Sequence, residues 1–208
     1  MRKMTFAFIA SISLAIVAPL AAQKETAAQI PGQMDAKRVT AGTYSADPAH
    51  TLVGFRVNHF GFNDYFGIFG DASGTLIIDP KKPAASQVDI TIPLTGLTTA
   101  SSKLTDHMKS ADFLDAAKFS AARFVSTSVK VNGTAAMITG NLTIKGVTKP
   151  VTLDARFTGA GTNPYNKKAT VGFEATTVIK RSDFTVNYGV PAVSDKVELT
   201  ITAAFEKA

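Results

Sequence analysis

A chain of 208 residues sets 22 Lys and Arg against 16 Asp and Glu, for a formal charge of +6, and contains no cysteine. The excess is mild and the lysines are scattered, so the sequence lacks the clustered basic stripe with interleaved aromatics that marks a nucleic-acid binder. Without cysteine there is no disulfide framework and no thiolate metal site, and stability rests on burial.

In chain order, Met1-Arg2-Lys3 precedes an uncharged run from Phe6 to Leu20, the pattern of a secretory signal peptide. The run is short of the roughly 20 apolar residues that a membrane span needs. Cleavage is expected near Ala22, leaving Gln23 first, and no cysteine follows to take a lipid anchor. Loss of the two cations Arg2 and Lys3 lowers the formal charge from +6 to +4. The expected location is the periplasm, where a mild positive charge allows transient contact with an anionic membrane surface. Residues 23–40, "QKETAAQIPGQMDAKRVT", are polar, contain Pro31 and Gly32 and have no apolar periodicity. They read as a flexible leader outside the fold, with one domain over 41–208.

From Tyr44 onward the pattern is alternation. "TLVGFRVNH" turns Val53, Phe55 and Val57 to one side, and "QVDITIPL" does the same with Val88, Ile90, Ile92 and Leu94. "AMITGNLTIK" places Ala136, Ile138, Gly140, Leu142 and Ile144 together; "VTLDARF" adds Val151, Leu153, Ala155 and Phe157. "VGFEATTVI" contributes Val171, Phe173 and Ala175, and "VELTITAAF" contributes Val197, Leu199, Ile201, Ala203 and Phe205. A period of two over many segments means strands with one dry face. Asn132-Gly133, Lys145-Gly146 and Asp79-Pro80 punctuate them as turns. Eight or nine antiparallel strands with short connections predict an up-and-down barrel, whose closure removes exposed edges.

Small residues recur at inward positions: Gly74, Ala136, Gly140, Ala155, Ala175 and Ala203. An eight-stranded barrel is just wide enough to be filled by side chains or to hold one small ligand. Small residues leave an apolar void suited to an apolar guest. The alternative is a lumen filled by the helix and the phenylalanines. Cavity-facing candidates are Val53, Phe55, Val57, Leu76, Ile90 and Ile92 from the first half, then Phe124, Ile138, Gly140 and Leu142. Leu153, Phe173, Leu199 and Ile201 complete the walls. "HFGFNDYFGIFGDASG" adds His59, Phe60, Phe62, Tyr65 and Phe69 among glycines, as a mouth that parts for a chain or as ordinary core.

"LTDHMKSADFLD", Leu104 to Asp115, is the one helical stretch, set within about 101–116. At about 100° per residue Leu104, Met108 and Ala111 share a face, with His107 at its margin. Asp106 points away beside Lys103 and Lys109, and Ser110 is placed to cap a second short turn with Asp112 in its first turn. The segment reads as a plug, its apolar side against the barrel. His107 is expected to bond a buried carbonyl or, alternatively, a ligand head group; Phe113 joins it as a candidate contact. His50, His59 and His107 lie far apart without zinc-ligand spacing, and neither a Gly-x-Ser-x-Gly elbow nor a Walker loop occurs. No catalytic and no metal-binding residue is assigned.

These stretches resemble a known family. "YSADPAHTLVGFRVNHFGF", "SGTLIIDP", "HMKSADFLDAAKF", "ITGNLTIKGVTKPVTLDARF" and "GFEATTVIKRSDF" are similar, in order from about Tyr44 to Phe205, to the YceI-like family of exported polyisoprenoid-binding proteins. The resemblance implies an all-β, lipocalin-like eight-stranded antiparallel barrel that holds a long isoprenoid-type or other amphiphilic chain, without catalysis or metal. By position, Asp47 and His50 fall on the family's Asp-Pro-x-His pattern and His59 on its Lys-His step. His107, Ser110, Asp112, Phe113 and Asp115 fall on its His-x-x-Ser-Ala-Asp-Phe-x-Asp pattern. The sequence departs at Phe66 and Ile68, where the family often has arginines, and at Tyr165, where tryptophan is common. The expected function is a periplasmic carrier with no cofactor, its ligand a polyisoprenoid, quinone-like or fatty-acyl molecule. The alternatives are a stress-protective or interaction protein with a closed barrel, or an extracytoplasmic enzyme using His107.

Overall fold

The structure, a computed structural model, describes residues 30–208. The expected signal peptide and its cleavage point lie outside the described residues. Eleven strands occur: β1 (Gly42–Ala46), β2 (Leu52–His59), β3 (Asn63–Phe69), β4 (Ser73–Ile78), β5 (Gln87–Pro93) and β6 (Leu97–Thr99). After α1 (Ser102–Lys109) come β7 (Ala121–Asn132), β8 (Ala135–Ile144), β9 (Val147–Thr162), β10 (Ala169–Lys180) and β11 (Lys196–Lys207).

These strands make eight staves. β1 and β2 both run antiparallel to β11, with Ala46 opposite Phe205 and Val53 opposite Ile201, so they form one interrupted strand. β3 and β4 lie against β2 and β1 in turn, and β5 and β6 against β4 and β3. β5 pairs with β7, and β7 to β11 follow in sequence order back to the start. The result is a closed eight-stranded antiparallel barrel in up-and-down order, as the alternation predicts.

Each interruption has a local cause. Between β1 and β2 Pro48 has no N–H to donate. Thr51 bridges the gap with its hydroxyl, which donates to Ala204 O at 3.2 Å and accepts from Ala204 N at 3.3 Å. The other two breaks touch: Gly70 N donates to Gly96 O at 3.1 Å, and a Cβ on Gly96 would sit 2.4 Å from Gly70 O. Only glycine permits that approach. At the β8–β9 hairpin Lys145 (φ 51°) and Gly146 (φ 76°) supply the two positive φ values of a tight turn,.

Two buried clusters fill the ends. Tyr44, Leu76, Phe157, Val171 and Phe205 pack where β1 starts and β11 finishes. Phe55, Leu94, Leu97, Leu114, Phe184 and Val186 pack at the other end, the plug end. Beyond the Pro93–Ala121 pair, β6 and β7 diverge, and the chain containing α1 spans the gap.

The plug differs in detail from its sequence reading. α1 stops at Lys109, so the segment is shorter than 101–116, and it contains no fully buried residue. Ser101 caps it, accepting from Leu104 N at 3.3 Å. Ser110, expected to cap a second short turn, instead donates its hydroxyl back to His107 O at 2.7 Å, closing the helix C-terminus. The chain then doubles back, Leu114 N donating to Met108 O at 3.1 Å, so Leu114 takes the buried place expected of Ala111, which is exposed. The driving force is simple: leucine buries more apolar surface than alanine.

The last part of the leader is docked on the barrel. Gln33 exchanges two backbone hydrogen bonds with Ala160, at 3.0 and 2.8 Å, and Arg38 Nη1 donates to Pro31 O and Ala160 O. The reason lies in β9. Its pairing with β8 ends at Arg156, which leaves the following stretch an open edge with unpaired backbone groups,. Gly159 and Gly161 admit the strap, since a Cβ on Gly161 would lie 2.1 Å from Pro31 O. Ile30 and Met34 stay exposed, so backbone hydrogen bonds rather than burial hold it.

Candidate ligand cavity

Between the two end clusters lies a cavity of about 140 Å³. Its origin is three alanines on adjacent strands. Ala155 of β9 stands opposite Ala175 of β10, which stands opposite Ile201 of β11; Phe173 faces Ala203 two pairs away, on the same face. Where larger side chains would meet across the lumen, these methyls do not. Phe173 packs edge-on between Phe157 and Phe205, at centroid distances of 5.7 and 6.2 Å, and floors the space.

The wall is apolar. Its polar members are engaged elsewhere: Thr51 by Ala204, Thr177 by Thr152 O at 2.9 Å, and Glu174 by Arg156 in an ion pair. With no group aimed into it, such a space favours an apolar guest over water.

The sequence candidates divide. Val53, Leu76, Ile90, Ile92, Phe124 and Ile138 line the cavity, as do Leu142, Leu153, Phe173, Leu199 and Ile201. Phe55, Val57, Phe69 and Phe113 instead join the plug-end cluster. Tyr65 is half-buried outside the lining, and His59, Phe60 and Phe62 stand exposed at the β2–β3 turn. Gly140 does not open the lumen, because the Phe124 ring covers it, 2.4 Å from where a Cβ would stand. Gly74, with φ +135°, likewise serves backbone approach, its Cβ position 2.0 Å from Asp89 O. Of the small inward residues expected to leave a void, Ala155, Ala175 and Ala203 line the cavity, while Gly74, Ala136 and Gly140 do not. Thr51 gave no signal, since it sits in a strand interruption.

His107 does not bond a buried carbonyl. Its Nε2 lies 2.9 Å from Asp112 Oδ2, and its ring stands edge-on to Phe113 and Tyr188 at 5.0 and 4.9 Å. The pair sits on the outer side of the plug and does not line the cavity. Asp47 and His50 make a local turn, 2.7 Å apart, while Asp47 Oδ1 accepts from Ala49 N.

One charge is buried inside the plug, contrary to the inward-facing pattern. Arg181 donates to four loop carbonyls: Ser194 at 2.9 Å, Val186 at 2.9 Å, Tyr188 at 2.8 Å and Val193 at 2.9 Å. Burial pulls its pKa down, and Asp195 opposes that. Burial pushes the Asp195 carboxyl up, but hydrogen bonds from the Ser182 amide and hydroxyl, with the charges of Arg181 and Lys180, outweigh it. The net direction is down, so Asp195 is held ionised beside Arg181.

The model of the YceI-like domain matches residues 44–205. The chain belongs to the YceI-like family. It is 44% identical over 153 residues to Protein YceI of Escherichia coli O157:H7, covering 74% of this chain and 80% of that one. Among solved structures, BcnA of Burkholderia cenocepacia superposes with a TM-score of 0.68 at 26% identity, over 76% of this chain and 98% of its own. The YCEI protein of Campylobacter jejuni gives 0.64 at 28% identity, over 73% and 90%. A polyisoprenoid binding domain from Saccharophagus degradans shares the fold, with a TM-score of 0.60 at 15% identity over 79% and 98%. The matched range takes in the plug, the whole cavity lining and all but the outermost residues of the strand ring of this YceI-family barrel.

Proposed function

We infer that this YceI-family protein is a carrier that takes an apolar or amphiphilic chain, of isoprenoid or similar type, into its barrel outside the cytoplasm. The observation that carries the reading is the wall of the cavity. Fourteen of its side chains are valine, leucine, isoleucine or phenylalanine drawn from all eight staves, three alanines open the space, and its polar members bond elsewhere. Such a wall binds by the hydrophobic effect, at roughly 25 cal/mol per Å² of apolar surface removed from water. It offers no acid, base or nucleophile to a bound molecule, which supports carriage without chemistry. The basic start and the apolar run of Phe6 to Leu20 support export.

Size sharpens the reading. About 140 Å³ is close to the ~150 Å³ apolar cavity that accepts a benzene-sized guest,. A long chain needs more, and the space must come from the plug. Its residues Leu94, Leu114, Phe184 and Val186 sit on turns and loops rather than on the barrel ladder, and loop side chains move more readily than strand side chains. Carriage therefore includes displacement of plug side chains by the incoming chain.

Native mass spectrometry of protein purified from its producing cells, followed by organic extraction, tests this. The expected result is a bound apolar mass of isoprenoid type, released by solvent and chemically unchanged after incubation with the protein. A chain that emerges chemically altered, or a protein that never carries an apolar mass, contradicts the reading.

A further inference from the structure

Outside the cavity, one corner of the plug end combines features that barrel stability does not require. The turn between β2 and β3 is built from Phe60, Gly61 and Phe62. Phe60 holds φ 56° and Gly61 φ 76°. Asn or Gly favours the first of these positions, and a bulky aromatic there is a backbone outlier. The turn is nonetheless well fastened: Phe60 N donates to Ala192 O at 2.9 Å, and Gly61 N donates to Asn58 Oδ1 at 2.8 Å. It holds both phenyl rings in water, Phe60 at 52% and Phe62 at 87% exposure.

Beside the turn stand two cations. Lys180 of β10 and Lys196 of β11 face each other directly in register, both exposed. Like charges directly opposite are unfavourable in a sheet. Among the described residues neither forms an ion pair. The carboxylates around them bond elsewhere: Glu198 and Asp64 to Arg56, and Asp195 to Ser182, although Asp195 also feels the charge of Lys180; Asp183 lies exposed on the turn after Lys180. Register puts the lysines close to the turn. Glu198 pairs with Arg56, so Lys196 falls level with Asn58, two residues before Phe60. Ser194 fastens the two elements, its N donating to Asn58 O and its Oγ accepting from Asn58 N.

We propose that this corner docks the protein on an anionic lipid bilayer, with Phe60 and Phe62 entering the interface and Lys180 and Lys196 meeting the head-group phosphates. The complementarity is specific to that partner. A protruding turn with apolar, purely hydrocarbon tips needs an apolar interior to enter, and the adjacent unpaired lysines need anions in a layer just above it. A bilayer surface carrying acidic lipid supplies both, at about a Debye length of range for the charges. The proposal stands on this surface alone and does not depend on what the cavity holds.

The test is co-sedimentation with vesicles of phosphatidylethanolamine and phosphatidylglycerol, against vesicles of phosphatidylcholine. The protein used has its start fixed by mass analysis at or after Gln23, because the Phe6–Leu20 run would itself partition into lipid. The expected result is binding to the anionic vesicles that weakens with salt and is much weaker on phosphatidylcholine. Lys180→Gln with Lys196→Gln should lower it by roughly 30-fold. Phe60→Asn with Phe62→Ser should lower it at least about tenfold, while the melting temperature holds or rises because Asn accepts the left-handed backbone. Cavity ligand content, read by native mass spectrometry, should be the same in all three proteins. Equal binding to both vesicle types, or variants that bind like the parent, would overturn the proposal. So would a dimer in sedimentation velocity that the phenylalanine variant disperses, since the corner would then meet a second copy.

Discussion

Arg181 illustrates how a single residue can organise an end of the barrel. It lies 7% exposed, and its guanidinium gathers four carbonyls from the loop between β10 and β11 into one fan. An arginine after "VIK" carries no sequence signal for burial, because the role depends on a loop that folds back over it. Arg181→Met keeps the aliphatic stem but leaves those carbonyls without donors. Each buried orphan costs about 1–3 kcal/mol, and loop carbonyls turn partly to water, so chemical denaturation should show a loss of about 2–4 kcal/mol. Asp195 adds a pH dependence of definite sign. Its folded pKa is below the ordinary carboxylate value of about 3.9, so it contributes stability above that value which is lost as pH falls through the folded pKa,. Melting curves across the acid range should therefore slope less steeply for Asp195→Asn than for the parent.

At the scale of elements, the plug and the strap separate what the sequence declared from what it withheld. Period-two alternation marks β7 to β11 plainly, because one face of each strand must be dry. The plug was legible as a helix with an apolar side, but its weight falls on residues after and around that helix. Leu114 and Phe184 are 8% and 1% exposed, whereas Met108 is only half-buried. Leu114→Ala and Phe184→Ala should each cost about 2–5 kcal/mol, with Met108→Ala below them. His107→Gln, which removes a surface pair with Asp112 and edge contacts with Phe113 and Tyr188, should cost on the order of 1 kcal/mol,. The strap was not legible, since "IPGQMDAKR" buries nothing apolar and its partners are the backbone groups of a distant strand edge. Gly161→Val sets a side chain against the Pro31 carbonyl and should free residues 30–38 without unfolding the barrel. Limited proteolysis would then cut near Lys37 and Arg38 in the variant sooner than in the parent, and equal cutting rates would contradict the docked strap.

For the whole molecule, closure is the organising fact. The alternation fixed which face of each strand is dry, and the eight-stave ring fixes which dry residues meet. Three interruptions, at Asp47–Thr51, Gly70–Ala72 and Leu94–Gly96, break the first three staves into two strands each. Their glycines and proline are visible in the sequence, but their mutual contact is not, because it joins residues far apart in the chain. The same limit explains the cavity. Inward alanines on three strands signal lost volume only once register sets them side by side, and Gly140 loses its apparent vacancy to a neighbouring ring. The central claim is that this alanine-bounded space is where an apolar chain sits. Ala175→Leu with Ala203→Leu fills it from two adjacent strands, with overpacking held to about 1–3 kcal/mol if the walls adjust. Native mass spectrometry of parent and variant, both shown folded by circular dichroism, measures the load directly. The account predicts a bound apolar mass in the parent and its loss in the variant; a folded variant carrying the parent's full load would contradict it.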